Sequence, residues 1–206
     1  MRLVASEFST VDGVVQAPGG AEEDTDGGFA HGGWSMPYFD PEVMGPYISA
    51  ALDASDALLF GRRTFQTMAA AWPGRAGDPF ADRMNSIPKY VVSTTLDGDA
   101  LGWDNATLLD GADAIGEVRR LLDRPGRDLQ VMGCPTLVRT LVAADLVDEY
   151  RIMVSPVLVG GGKRALPEGG RRVDLELVSV EAAATGVLLC TYRRAGRRDG
   201  DGPAPG

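Results

Sequence analysis

The chain has 206 residues and a mass of 21.8 kDa, with 44% hydrophobic and 24% charged residues, the composition of a folded globular domain. Its formal net charge of −9 and pI of about 4.6 argue against duplex nucleic acid and anionic membrane surfaces as partners, because both bind concentrated cations. No apolar run approaches the ~18 residues of a membrane-spanning helix, and the opening residues MRLVASEFST carry no apolar signal-peptide core. A cytoplasmic location is the expectation.

Cys134 and Cys190 read as two buried, reduced thiols. With His31 as the single histidine, the sequence offers no metal-ligand set and no Ser/His/Asp or Cys/His hydrolase arrangement.

The predicted elements begin with a strand over 3–8, a turn at Thr10-Val11-Asp12-Gly13, and extended chain at 14–15. Residues 17–33, PGGAEEDTDGGFAHGG and its flank, are acidic and Gly-rich and predict a mobile surface loop. Asp40-Pro41 predicts a helix start, with Asp40 as N-cap and a helix over 41–54. A buried strand at 56–60, Gly61 and a helix over 62–71 follow. Next come a loop, a helical turn at 80–86, and strands at 90–93 and 106–109. A helix over 112–122 carries Ile115, Val118, Leu121 and Leu122 at helical spacing. A strand at 129–132 and a helix over 136–143 complete this alternation of strand and helix. Such alternation predicts a mostly parallel sheet covered on both faces. Strands over 149–159, 173–182 and 186–194 lack intervening helices and predict an antiparallel edge. The folded domain is expected to span 1–194, with 195–206 a disordered tail.

Three strand ends stand out. At Gly61-Arg62-Arg63-Thr64 a buried strand gives way to a helix, whose free amides and positive dipole end suit phosphate. Two guanidiniums and a hydroxyl add donors. Ser93 and Thr94 end a second strand with hydroxyls, which serve equally as turn chemistry. Gly133-Cys134-Pro135-Thr136-Leu137 closes a third, where Gly133 leaves room for a pyrophosphate to approach the backbone. Parallel strands share one carboxyl edge, so the three ends would lie on one rim able to bind a dinucleotide. Asp12 either positions substrate or stabilises its own turn. Trp34, Tyr38 and Phe39 either stack on a flat heterocycle or plug the core.

The order of these motifs resembles the family that shares its fold with dihydrofolate reductase and with the C-terminal reductase domain of bifunctional riboflavin-biosynthesis enzymes. Further landmarks are Ile87-Pro88-Lys89-Tyr90-Val91-Val92-Ser93, Leu146-Val147-Asp148-Glu149, and Pro156-Val157-Leu158-Val159-Gly160-Gly161-Gly162. The resemblance implies a three-layer α/β sandwich that binds NADPH. Gly61, Arg62, Arg63 and Thr64 would meet its phosphates, Ser93 and Thr94 the 2′-phosphate, and Gly133 to Leu137 the pyrophosphate and nicotinamide ribose. Thr10, Trp34, Tyr38 and Phe39 would border the substrate. Asp40, one residue later than the acidic residue of dihydrofolate reductases, and Asp12 are the candidate catalytic carboxyls. The implied activity is reduction of a small planar heterocycle or carbonyl compound. A pyrimidine-reductase step of riboflavin biosynthesis comes first and dihydrofolate reduction second; a non-catalytic nucleotide-binding or scaffold protein of the same fold stands beside them. A homodimer through the C-terminal strands is implied by the same resemblance.

Overall fold

The structure is a computed structural model, and it describes residues 1–98, 101–166 and 172–196. Among the described residues thirteen strands and α-helices follow one another: β1 (Arg2–Thr10), α1 (Met44–Ala54), β2 (Ser55–Gly61), α2 (Arg62–Ala71), α3 (Pro79–Ser86), β3 (Lys89–Ser93), β4 (Ala106–Asp110), α4 (Ala114–Leu122), β5 (Asp128–Met132), α5 (Pro135–Ala143), β6 (Glu149–Ser155), β7 (Leu175–Ala182) and β8 (Leu188–Arg194).

They build an eight-stranded sheet in the order β4-β3-β2-β5-β1-β6-β8-β7. The first six strands are parallel. β8 then runs antiparallel to β6, and β7 antiparallel to β8. The mostly parallel sheet with an antiparallel C-terminal edge is therefore as expected. Its interior strands are covered on both faces, which is why β2 reads as a continuous apolar run rather than an alternation. Ala57, Leu58, Leu59 and Phe60 are all buried. Phe60, Phe65 of α2 and Trp103 pack together with centroids 6.0–6.4 Å apart, joining the α2 face to the segment that leads into β4.

Boundaries shift where proline intervenes. The helix predicted over 41–54 starts at Met44. Pro46 has no amide to donate and is tolerated only in a first helical turn; a start at Pro41 would have placed it in the second. Asp40 accordingly sits outside the helix, its Oδ1 accepting the Glu42 amide at 3.0 Å. The helix N-cap is Val43, with no side-chain cap. Pro156 likewise stops β6 at Ser155, so 157–159 is loop rather than strand. Asp78 is a side-chain cap that the composition of the preceding loop conceals: its Oδ1 accepts the amides of Phe80 at 2.7 Å and Ala81 at 3.1 Å, with Pro79 opening α3.

β7 is exposed along its whole length, including Leu175, Leu177, Val178 and Val180. The expectation of a disordered tail falls at 197–206 outside the described residues. Among the described residues no helix is long and apolar enough to cross a membrane.

Candidate functional site

The sheet order brings the ends of β3, β2, β5 and β1 to neighbouring places on one carboxyl rim. Gly61 pairs with Val92, so Ser93 stands one step beyond it. Leu59 pairs with Val131, and Ser6 with Met132. From β3 to β5 is two strand spacings, about 10 Å, so Ser93, Gly61 and Gly133 lie within the span of one dinucleotide.

Two helices open at this rim, α2 after Gly61 and α5 after Gly133-Cys134, and neither has a side-chain cap. The two turns are tied together. Thr64 Oγ1 donates to the Gly133 carbonyl at 2.8 Å, and the Gly61 amide to Cys134 Sγ at 3.3 Å. Gly133 has φ of +60°, a conformation that favours glycine. A Cβ built there meets nothing nearer than the Thr64 methyl at 3.9 Å, so the backbone lies open to a ligand. The Gly133–Cys134 bond is trans.

Beside this junction lies a cleft of about 1060 Å³. Its floor is Ser6, Glu7 and Phe8 of β1 with Gln130, Met132 and Met153. One wall is α1 through Tyr47 and Ile48, and the other is α2 from Arg63 to Ala71 with Trp72 and Arg75 just beyond it. The roof is the segment from Val15 to Asp26 with Ser35, Met36 and Phe39. The exposed surface of the cleft is more apolar than polar, which suits a flat heterocycle.

The roof is the acidic segment expected to be a mobile surface loop; it is a surface loop, and its contacts tie it to the rest of the fold. Gln16 is buried and donates from Nε2 to the carbonyls of Asp24 and Asp26, each at 3.0 Å. Glu23 accepts the amides of Gly19 and Gly20. Lys163 Nζ reaches Asp24 at 2.5 Å and Asp26 at 2.9 Å, and Arg63 pairs with both aspartates. Acidity that looks like a solvated tract is a counter-charge for two cations distant in sequence.

Of the residues singled out from sequence, Arg63, Thr64, Gly133, Pro135 and Phe39 line the cleft. Gly61 and Cys134 build the junction behind it. Arg62 is exposed, its guanidinium near Gln66 at 3.4 Å. Thr136 and Leu137 continue into α5 without lining the cleft, and Leu137 is buried. Ser93 Oγ accepts the amides of Thr95 and Leu96, capping its own turn. Thr94 shares that turn, on the rim but outside the cleft.

The remaining candidates are turned to internal work. Thr10 donates to Asp12 Oδ1 at 2.6 Å and accepts the Val14 amide. Asp12 also accepts the amides of Val159 and Gly160. These bonds, the Thr10 hydroxyl first, hold its carboxyl below the usual carboxylate range, so Asp12 stays an ionised brace between two loops rather than an acid. Trp34 is buried, its Nε1 donating to the Gln16 carbonyl at 2.7 Å. Tyr38 packs against the smaller core of Met44, Met153, Ala183, Val187 and Leu189. Asp40 caps the turn before α1. Neither candidate carboxyl is among the residues of the cleft.

The residue that sequence reading missed is Glu7. It is 5% exposed, on a strand with neighbours on both sides, and it lines the cleft. β5 ends opposite Ser6, so Glu7 faces the Gly133-Cys134 turn, and its Oε1 accepts the Cys134 amide at 3.1 Å. Burial pushes its carboxyl up to about 8, the one amide bond opposing. Burial also pushes the Cys134 thiol up to about 12, which makes it a neutral thiol and not a nucleophile.

Residues 2–189 match the family described as RibD C-terminal domain. The chain is 26% identical over 196 residues to the uncharacterized protein YyaP of Bacillus subtilis (strain 168), covering 93% of this chain and 94% of that one. Many solved structures share the fold, three of them as follows. One, from Shewanella sp. PV-4, is named for riboflavin biosynthesis: TM-score 0.69, 19% identity, 96% of this chain and 100% of that one. A pyrimidine reductase-like protein from Corynebacterium diphtheriae has a TM-score of 0.58 at 11% identity, with 95% and 92% covered. Dihydrofolate reductase from Enterococcus faecalis, complexed with NADP(H), has a TM-score of 0.58 at 15% identity, with 94% and 96% covered.

Proposed function

The chain belongs to the RibD C-terminal domain family, and from that premise we propose that it is an NADPH-dependent reductase of a small planar heterocycle or carbonyl compound. The observation that carries this reading is the junction of two uncapped helix starts, α2 and α5, beside an open Gly133 and a largely apolar cleft. The residues fit a pyridine dinucleotide. The Gly133 backbone admits the pyrophosphate, the helix starts and Arg63 balance its charge, and the floor at Ser6 to Phe8 receives a flat ring. When bound, the nicotinamide supplies a hydride to an electron-poor C=N or C=O carbon. The protein's part is to hold the two partners in register and exclude water. Phe39, Met36 and the pinned roof close over the cleft for that purpose.

Among substrates, an aminopyrimidine of the riboflavin pathway is favoured over dihydrofolate. The Asp40 carboxyl, nearest in sequence to the acid of dihydrofolate reductases, caps a turn outside the cleft. The same reading places the protein in the cytoplasm, where the buried thiols Cys134 and Cys190 stay reduced. It also seats a second copy on the exposed apolar strand β7, an edge that needs cover; light scattering would distinguish one copy from two.

The test is NADPH oxidation followed with an aminopyrimidinedione, a dihydropterin and an ortho-quinone as acceptors. Oxidation of NADPH with at least one is expected. Tight binding of NADPH without turnover on any of them would favour a binding protein instead. Arg63 adds a specific expectation, because Asp24 and Asp26 already occupy its guanidinium. Arg63→Ala should weaken NADPH about tenfold, near 1.4 kcal/mol. Asp24→Asn with Asp26→Asn should tighten it, by freeing the arginine for phosphate. Titration by NADPH fluorescence checks both; equal affinities in all three proteins would remove Arg63 from the phosphate site.

A further inference from the structure

We propose that the Ser6 hydroxyl, turned outward by Gln130, is the donor that selects the substrate: an uncharged planar heterocycle offering a carbonyl oxygen or a ring nitrogen at one edge. The inference rests on the reductase reading above and adds to it the chemistry of the second reactant.

The floor of the cleft has two ends. In the parallel register Ser6 faces the same side as Met132 of β5, and Phe8 the same side as Met153 of β6. All four line the cleft, as does Gln130, two residues before Met132 and on the same face. Gly133 follows Met132, so Phe8 stands beyond the level of the Gly133 turn and Ser6 short of it. The two are about 7 Å apart along the strand. A cofactor ring that enters from a pyrophosphate at the rim meets Phe8 first. The inner end, Ser6 and Gln130 with Ile48 and Ala51 of α1 on the wall, is left to the substrate.

Hydrogen bonds give that inner end a direction. Ser55 Oγ donates to the Ala51 carbonyl at 2.8 Å and to Gln130 Oε1 at 3.2 Å. The oxygen of the Gln130 amide is thereby engaged, and its Nε2 donates to Ser6 Oγ at 2.8 Å. Ser6 accepts that bond, and its own hydrogen has no acceptor among the described residues. Ser6 is 8% exposed, and a hydroxyl carries one donor besides its lone pairs. The acceptor for that donor has to come from a molecule in the cleft.

The other hydroxyls of the cleft are not in this state. Thr64 donates to the Gly133 carbonyl, Ser35 to the Pro18 carbonyl and Tyr47 to the Cys190 carbonyl. Thr25 and Thr67 are exposed.

Charge narrows the ligand further. The register neighbour of Ser6 on β6 is Arg151, which donates to Glu149 at 2.8 Å and is not among the residues of the cleft. Of the cations that line the cleft, Arg63 pairs with Asp24 and Asp26, and Arg75 lies over the Trp72 ring at 4.9 Å. A phosphate or carboxylate on the substrate would be buried at the inner end without a counter-charge, which is costly. An acceptor atom on a neutral ring meets the Ser6 donor without that penalty. An edge made only of amine or ring N–H groups would leave it unmet.

Titration calorimetry with three flat bicyclic probes reads this selection without cofactor or turnover. Lumazine (pteridine-2,4-dione) in its uncharged form presents carbonyl and ring-nitrogen acceptors, naphthalene presents none, and indole presents a donor alone. Ser6→Ala should weaken lumazine about tenfold, the loss of one buried hydrogen bond, and leave naphthalene and indole within about twofold. Gln130→Met, which leaves the Ser6 hydrogen undirected, should weaken lumazine about threefold and again spare naphthalene. Retained naphthalene binding shows that the cleft is intact in both variants. A wild type that binds no lumazine, a lumazine affinity unchanged in either variant, or an equal loss for naphthalene would overturn the assignment. A loss confined to indole would also overturn it, by showing that Ser6 accepts rather than donates. Failure of NADPH to bind, with lumazine responding as stated, would overturn the reductase reading alone.

Discussion

Glu7→Gln is expected to stabilise the fold, by an amount that grows with pH. The carboxyl has an ordinary value of 4.5 and is raised by burial to about 8. Below pH 4.5 both folded and unfolded chains hold the proton, and the residue makes no difference to the pH slope. Between these values the unfolded chain has released a proton that the folded chain retains. Folding must then take it up, and stability falls by about 1.4 kcal/mol per pH unit. Above about 8 both states are ionised and the penalty is constant, on the order of 5 kcal/mol relative to acid. Glutamine has no proton to exchange, so this slope disappears while the Cys134 amide keeps its acceptor. Urea unfolding of both proteins at pH 5, 6.5 and 8 checks it. The gap should widen steadily in favour of the variant; parallel stabilities would mean that Glu7 is ionised in the fold.

Lys89→Met is expected to cost on the order of 3 kcal/mol. The lysine is fully buried at the start of β3, yet its ammonium is not wasted. It donates to the carbonyls of Asn85 at 2.8 Å, Ile87 at 2.8 Å and Asp104 at 3.1 Å, and lies 4.5 Å from the centre of the Trp103 ring. One side chain thus ties the end of α3 to the segment entering β4. Methionine matches its length and removes the donors, leaving the buried Ile87 carbonyl and the half-buried carbonyls of Asn85 and Asp104 short of a partner. Desolvation of the ammonium is recovered in the exchange, which keeps the loss from being larger. The urea midpoint should drop accordingly, with the slope of the transition unchanged. A loss below about 1 kcal/mol would show that water reaches those carbonyls.

The parts of this molecule legible in its sequence are those set by local chemistry. The strand-Gly61-helix and strand-Gly133-helix units fall within a residue or two of their predicted places, because an apolar run, a small turn residue and a helical pattern occur together. What was not legible depends on pairing at a distance. The acidic roof reads as solvated until Lys163 and Arg63 are brought to it. The hydroxyl of Ser93 faces its own turn, which a cluster of hydroxyls cannot reveal. Trp34 and Tyr38 are packed inward, while Phe39 beside them reaches the cleft, a difference of facing that an irregular segment does not encode. Glu7 did leave a trace: a lone acid within Leu-Val-Ala-Ser-Glu-Phe, on a strand that a parallel sheet would bury on both faces. A buried acid of that kind is a site candidate on physical grounds, and only the end of β5 opposite Ser6 shows what it faces.

The most direct measurement is a crystal structure of the protein grown with NADPH. The predicted result is a dinucleotide crossing the rim between the starts of α2 and α5, its pyrophosphate on the Gly133 backbone and its nicotinamide on the floor beside Glu7. A dinucleotide bound away from that rim, or a cleft that stays empty at saturating NADPH, would contradict the account.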